Sequence, residues 1–157
     1  MEKPALANFI RFLEDRGLVR FDVMGDGDEK FSNRFRIQKY VFLAKRMGFA
    51  MPYEYDIYLC GPYSKNLTSD YYDLARNRTE YERADGRLDG SFDADRFLRV
   101  IKDRTNKWLE IAATLIERRP HCADREDLVR RVKNFKDEPE PGYISGVLRK
   151  LEELRLV

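Results

Sequence analysis

Residues 53–64 read Tyr53-Glu54-Tyr55-Asp56-Ile57-Tyr58-Leu59-Cys60-Gly61-Pro62-Tyr63-Ser64. From Tyr53 to Cys60 large apolar side chains at odd positions alternate with polar or amphipathic ones at even positions, the two-residue period of a half-buried strand. Gly61-Pro62 is expected to break that strand, because glycine permits a positive φ or a close backbone approach and proline fixes the next turn. Ser64 is placed to cap a helix, its hydroxyl accepting from a free N–H of the first turn. Leu67, Tyr71 and Leu74 follow at 0, 4 and 7, one buried helical face. The segment thus predicts a strand that turns sharply into a capped helix, with Tyr63 projecting from the corner.

The flanks are helical. Leu6, Phe9, Ile10 and Leu13 recur at helical spacing from Pro4 to about Arg16, and Gly17 supplies a left-handed stop. Leu18 to Val23 then reads as a short strand or extended lead-out. Gly25-Asp26-Gly27-Asp28 is a loop without the register of a calcium loop. Ser32 or Asn33 is expected to cap a second helix ending at Gly48. Its apolar face, Ile37, Tyr40, Val41, Phe42, Leu43, Ala44 and Met47, is too broad for a surface helix and places it in the core. After the third helix, Asp85-Gly86 suits a tight hairpin turn. One long helix is predicted from about Asp93 to Arg118, closed by Pro120. Asp124 caps a shorter helix carrying Leu128, Val129 and Val132, and a last helix carries Ile144, Val147, Leu148, Leu151 and Leu154. The expected fold class is mostly-α α+β. A winged-helix-like core with a small sheet spans residues 1–90, and a helical C-terminal part, 91–157, packs on it as one unit.

Composition narrows the function classes. Thirty basic residues stand against 28 acidic ones, a formal net charge of +2, so no whole-molecule field draws the chain to nucleic acid. No run approaches the ~20 apolar residues of a membrane span, and the start at Met1-Glu2-Lys3-Pro4 does not resemble a secretory signal. Cys60 and Cys122 form no C-x-x-C pair, so reduced thiols in a cytoplasmic protein are expected. No membrane partner is expected; self-association stays open.

Between Ile37 and Ala75 the chain reads I-Q-K-Y-V-F-L-A-K-R-M-G, an aromatic strand, then Y-L-C-G-P-Y-S-K-N-L-T-S-D-Y-Y-D-L-A. This stretch resembles the YwgA-like family and, more distantly, the Panacea-type antitoxin domains. Their shared pattern is a core helix opening [IL]-Q-K, a strand, a Y-G-P-[YF]-S-like turn and a helix with a D-L pair. The resemblance implies a winged-helix relative with a regulatory, protein-binding and antitoxin-like role. The candidate binding residues are Tyr58, Gly61, Pro62, Tyr63 and Ser64, together with Lys39. A helix N-terminus beside an exposed tyrosine can receive an anionic group. The plainer reading is a strand-to-helix corner held by a cap and an aromatic plug. Tyr55 and Tyr71 are assigned to the core, Tyr58 and Tyr63 to the surface.

Catalytic signals are sparse. His121 is the one histidine, beside Cys122, and reads as a surface-loop residue that could instead reach Cys60 in space. Asp70 and Asp73 share a helical face and suggest a metal-dependent hydrolase or nuclease as a distant alternative. No P-loop, G-x-G-x-x-G or G-x-S-x-G occurs. No catalytic residue, metal ligand or cofactor is therefore assigned, and the chain is expected to act by binding a protein partner. The first alternative is a nucleic-acid-binding regulator of winged-helix type. It would use the basic set Arg118, Arg119, Arg125, Arg130, Arg131 and Lys133, whose neighbours Asp124, Glu126 and Asp127 could equally neutralise it.

Overall fold

The structure, a computed structural model, describes residues 2–58 and 60–157; of the residues read above, Met1 and Leu59 lie outside them. Helix α1 (Glu2–Asp15) holds Pro4 in its first turn, where a missing N–H breaks no helical bond, and buries Leu6, Phe9, Ile10 and Leu13. Gly17, at φ +69°, ends it. Of the two readings of residues 18–23, a short strand or a lead-out, the structure shows no strand: the segment is a lead-out with bends at Leu18 and Phe21. Val19, Phe21 and Val23 do face the core, yet side chains satisfy the backbone in place of a ladder. Glu14 accepts from the Phe21 N–H at 2.9 Å, and Asn33 donates to the Asp22 carbonyl at 2.9 Å.

Helix α2 (Asp28–Arg46) begins ahead of the expected Ser32 or Asn33 cap. Gly27, at φ +110°, precedes it, and Asp28 and Glu29 in the first turn complement the helix dipole. Ser32 instead accepts from Asn106 at 3.1 Å inside the molecule. Ten residues of α2 are buried, among them Asn33, Gln38 and Lys39, so this helix is central.

Strands β1 (Asp56–Tyr58) and β2 (Gly61–Tyr63) form an antiparallel pair with Asp56 opposite Tyr63 and Tyr58 opposite Gly61. The predicted long strand is thus three residues, and Gly61-Pro62 does not end the sheet but starts its second strand. The reason is that nothing pairs with the segment before Asp56. Tyr53 there is buried and its hydroxyl reaches Asp70 at 2.7 Å. Pro62 fits because a two-stranded sheet has two edges, where no ladder N–H is required.

Helix α3 (Lys65–Arg76) starts at Ser64, whose hydroxyl accepts from Leu67 N–H at 3.2 Å. The short α4 (Arg78–Glu82) follows. Asp85-Gly86 makes no hairpin; that loop lies on α1, with Asn8 accepting from the Asp85 N–H at 3.2 Å. The predicted long helix is two, α5 (Ala94–Ile101) and α6 (Asn106–Arg118). Asp103 at φ +57° turns the chain, and Thr105 recaps it by accepting from Trp108 N–H at 3.0 Å. Apolar spacing continues through this break, which is why the periodicity hid it. Helix α7 (Arg125–Phe135) is capped by Asp124, and α8 (Tyr143–Glu153) closes the chain.

The chain is 62% helix with this small antiparallel sheet, a mostly-α α+β protein. Helix α6 packs on α2, β2, α7 and α8, while α1 packs on α3 and α4, around one continuous apolar core. Among the described residues, no helix is long and apolar enough to cross a membrane.

Candidate binding site in the tyrosine-lined cavity

Three elements converge on a cavity of about 480 Å³. Helix α2 presents Phe31, Arg34, Phe35, Gln38 and Lys39, one stripe at helical spacing. The hairpin brings Tyr58, Cys60, Gly61 and Tyr63, and α3 brings Thr68, Tyr71 and Tyr72.

Gln38 fixes the geometry. Its amide nitrogen donates to the Ser64 carbonyl and to Thr68 Oγ1, both at 2.9 Å, and its carbonyl oxygen accepts from the Ser64 N–H at 2.9 Å. A side chain of α2 thus takes the place of a third strand and holds the hairpin's exit against the core. Thr68 in turn donates to the Tyr63 hydroxyl at 2.6 Å. Tyr63 meets Tyr58 edge-on, with ring centroids 5.3 Å apart at 75°. Gly61, at φ +90°, lets the hairpin lie on α6: a Cβ there would stand 2.8 Å from Thr114 Oγ1.

Rings at the rim stay open to solvent. Phe31 is 50% exposed and Tyr58 41%. Behind them Tyr63 and Tyr72 are half-buried and Phe35 and Tyr71 buried. Burial raises the Tyr71 hydroxyl to about 12, so it remains a neutral donor.

Lys39 is 1% exposed. Its ammonium donates to the Pro62 carbonyl at 2.8 Å and lies 5.0 Å from the Phe35 ring centroid. Burial lowers its pKa from 10.5 to about 8; Cys60 and Glu110 oppose that shift and Lys136 adds to it. Glu110 is itself engaged by Lys136 at 2.8 Å. Arg34 adds a second positive charge, its guanidinium donating to the Val23 and Gly25 carbonyls, each at 2.8 Å. No carboxylate lines the cavity. The site can therefore hold a flat apolar group among rings while offering positive charge to an anion.

Family models, curated proteins and solved structures give no significant match to this chain.

Of the residues singled out in the sequence, Tyr58, Gly61, Tyr63 and Lys39 meet in this cavity. Gly61, Pro62 and Ser64 are buried, so they shape the site from beneath and are not a contact surface, while Lys39, also buried, forms part of the cavity floor. The cause is the pairing of Gly61–Tyr63 with β1 and their packing on α6. Tyr55, assigned to the core, is half-buried, with its ring edge-on to Phe42 at 5.1 Å. Phe31, Arg34 and Gln38 were not singled out for this site. Their spacing with Phe35 and Lys39 is a readable stripe once the helix is started at Asp28 and not at Ser32.

The other candidates are dispersed. Arg130 and Arg131 both bind Asp127, the latter at 3.0 Å; Arg125 pairs with Glu152 at 3.0 Å and Lys133 with Glu138 at 3.7 Å. A backbone hydrogen bond from Ala123, then Arg131, holds the Asp127 carboxyl below its ordinary range. Arg118 and Arg119 sit half-buried at the end of α6. Asp70 accepts from Tyr53, whereas Asp73 is held by Lys3 at 3.0 Å and Arg76 at 2.7 Å, so the two carboxylates serve different partners. No group of three or more His, Cys, Asp or Glu among the described residues is placed to hold a metal ion. His121 lines a different cavity from Cys60.

Proposed function

We propose that this chain is a non-enzymatic regulatory binding protein that receives a segment of a partner protein in the cavity between α2, the hairpin and α3. The observation that carries this reading is the exposure of Phe31 and Tyr58 at the rim of a concave, ring-lined site. Large exposed rings beside a cavity have the character of interface anchors, which lose most of their water-facing area when a partner docks. The resemblance of residues 37–75 to the YwgA-like and Panacea-type pattern supports the regulatory, antitoxin-like form of the proposal, and Cys60 and Cys122, which form no C-x-x-C pair, support a cytoplasmic setting.

The same geometry favours protein over nucleic acid. A winged-helix reader would lay a helix beside the hairpin into a groove, yet ten of the 19 residues of α2 are buried and α3 sets Asp70 and Asp73 beside Lys65 and Arg76. The basic residues of α7 are largely committed to Asp127, Glu138 and Glu152.

The test uses Phe31→Ala/Tyr58→Ala. Both side chains are exposed, so the double variant should keep the wild-type melting temperature. A partner captured from extract of the source cells and titrated in purified form should bind the variant at least about tenfold more weakly, as truncation of two anchors requires. Equal affinity for both proteins would place the partner elsewhere and end this proposal.

A further inference from the structure

Resting on that reading, we infer that the occupant of the cavity is the carboxyl terminus of a partner chain ending in an aromatic or large apolar residue, with its terminal carboxylate received by Lys39. An ammonium carries three donors. That of Lys39 is almost wholly buried, and among the described residues the Pro62 carbonyl is its one hydrogen-bond acceptor. The carboxylate whose field acts on Lys39, that of Glu110, is already engaged by Lys136 at 2.8 Å. The Glu110 carboxylate is thus already committed beneath a cavity whose lining, among the described residues, adds Arg34 and no acid. A buried cation short of an anion is electrostatically incomplete, and a ligand carboxylate completes it with charge-assisted hydrogen bonds.

A chain end suits the site better than an acidic residue within a chain. At a terminus, the ring and the carboxylate belong to one residue and enter together, the ring among Tyr58, Tyr63 and Tyr71. The rest of the chain then leaves by the rim beside Phe31. An internal Asp or Glu would bring the charge without the ring. It would also carry two flanking peptide groups into a lining that offers few acceptors.

The experiment titrates the full-length protein with three probes, followed by amide shift perturbation at pH 7. They are acetyl-Gly-Gly-Phe with a free carboxylate, the same peptide as its C-terminal amide, and 3-phenylpropionate. The free acid should bind at least about tenfold more tightly than the amide, and Lys39→Met should bring the two to parity. A second arm needs no change at Lys39. In a Cys60→Ser background, which removes the cavity thiol, the acid should weaken as pH rises from 7 to 9.5 while the amide holds. The charged groups facing Lys39 in that arm are Glu110 of α6, Lys136 after α7 and Arg34 of α2; the tyrosines around it are Tyr58, Tyr63, Tyr71 and Tyr72. Equal binding of acid and amide overturns this inference and leaves the cavity reading intact. Phenylpropionate binding as tightly as the peptide overturns the chain-end assignment in favour of a small acid. If no probe binds, the inference falls, and the cavity reading falls with it only if Phe31→Ala/Tyr58→Ala also leaves the partner's affinity unchanged.

Discussion

Gly61 concentrates more of the site's geometry than any other residue. Its φ of +90° lies where side-chain-bearing residues are strained, and a Cβ would press on Thr114 Oγ1 at 2.8 Å and the Glu110 carbonyl at 3.4 Å. Thr114 cannot swing away, because it is fully buried and donates to that same carbonyl at 2.7 Å. Gly61→Ala should therefore destabilise the protein by about 2–4 kcal/mol in urea unfolding, combining backbone strain with overpacking. Adding Thr114→Ala removes the contact but not the strain, so the double variant should recover about 1–2 kcal/mol relative to additivity. Strict additivity would mean that the hairpin does not lie against α6 here. Glycine's role at this corner could be read from the sequence, as could the Ser64 cap, because both follow from local backbone chemistry. The burial of Lys39 could not. A lysine on a helix is expected to send its ammonium to water, and only the third dimension shows Pro62 arriving over it.

A hairpin of three-residue strands is marginal by itself. What holds β1 and β2 in register with the rest of the molecule is Gln38, which satisfies both the N–H and the carbonyl of buried Ser64. Gln38→Leu keeps the side chain's bulk but leaves the Ser64 N–H without a partner, while the Ser64 carbonyl keeps the Thr68 N–H at 3.2 Å. It should cost about 1–3 kcal/mol, and the Ser64 amide should lose its hydrogen-exchange protection before the amides of α6 do. Uniform loss of protection would show that the hairpin and helices open as one and that Gln38 is no local clamp. Element by element, α3 and α7 are legible because apolar stripe and cap agree, and α1 and α8 from their apolar stripes alone. The strand expected over residues 53–60 shortens to Asp56–Tyr58 because alternation reports which side chains face inward, not whether a neighbour exists to pair with. Tyr53 and Tyr55 alternate as a strand would but pack as a loop. The α5–α6 break was hidden for the converse reason: Val100, Ile101, Trp108 and Leu109 keep a helical rhythm across a turn that Asp103 and Thr105 impose.

Global stability carries the signature of Lys39, and pH reads it. The unfolded chain holds that proton up to the ordinary value of 10.5, whereas burial in the fold releases it near about 8. Between those values the unfolded state binds more protons, so stability rises with pH across the window; below it the fold bears the full penalty of enclosing a charge. At about 1.4 kcal/mol per pH unit, raising pH from 7 to 10 should lift the wild type by about 2–3 kcal/mol through this group. Lys39→Met has no such proton to lose. Tyr71, whose hydroxyl is also shifted by burial, is present in both proteins and largely cancels in the difference. The gap in urea stability, variant minus wild type, should therefore shrink by about 2–3 kcal/mol between pH 7 and pH 10. A gap that stays constant would mean that Lys39 keeps its proton through the window, solvated or paired, and the positive floor of the cavity would need another account. If the carboxylate-bearing peptide is bound, the same proton should be held to higher pH, and the wild-type gain across the window should flatten. Stability measured with and without that peptide therefore connects a single buried amine to the occupancy of the whole site.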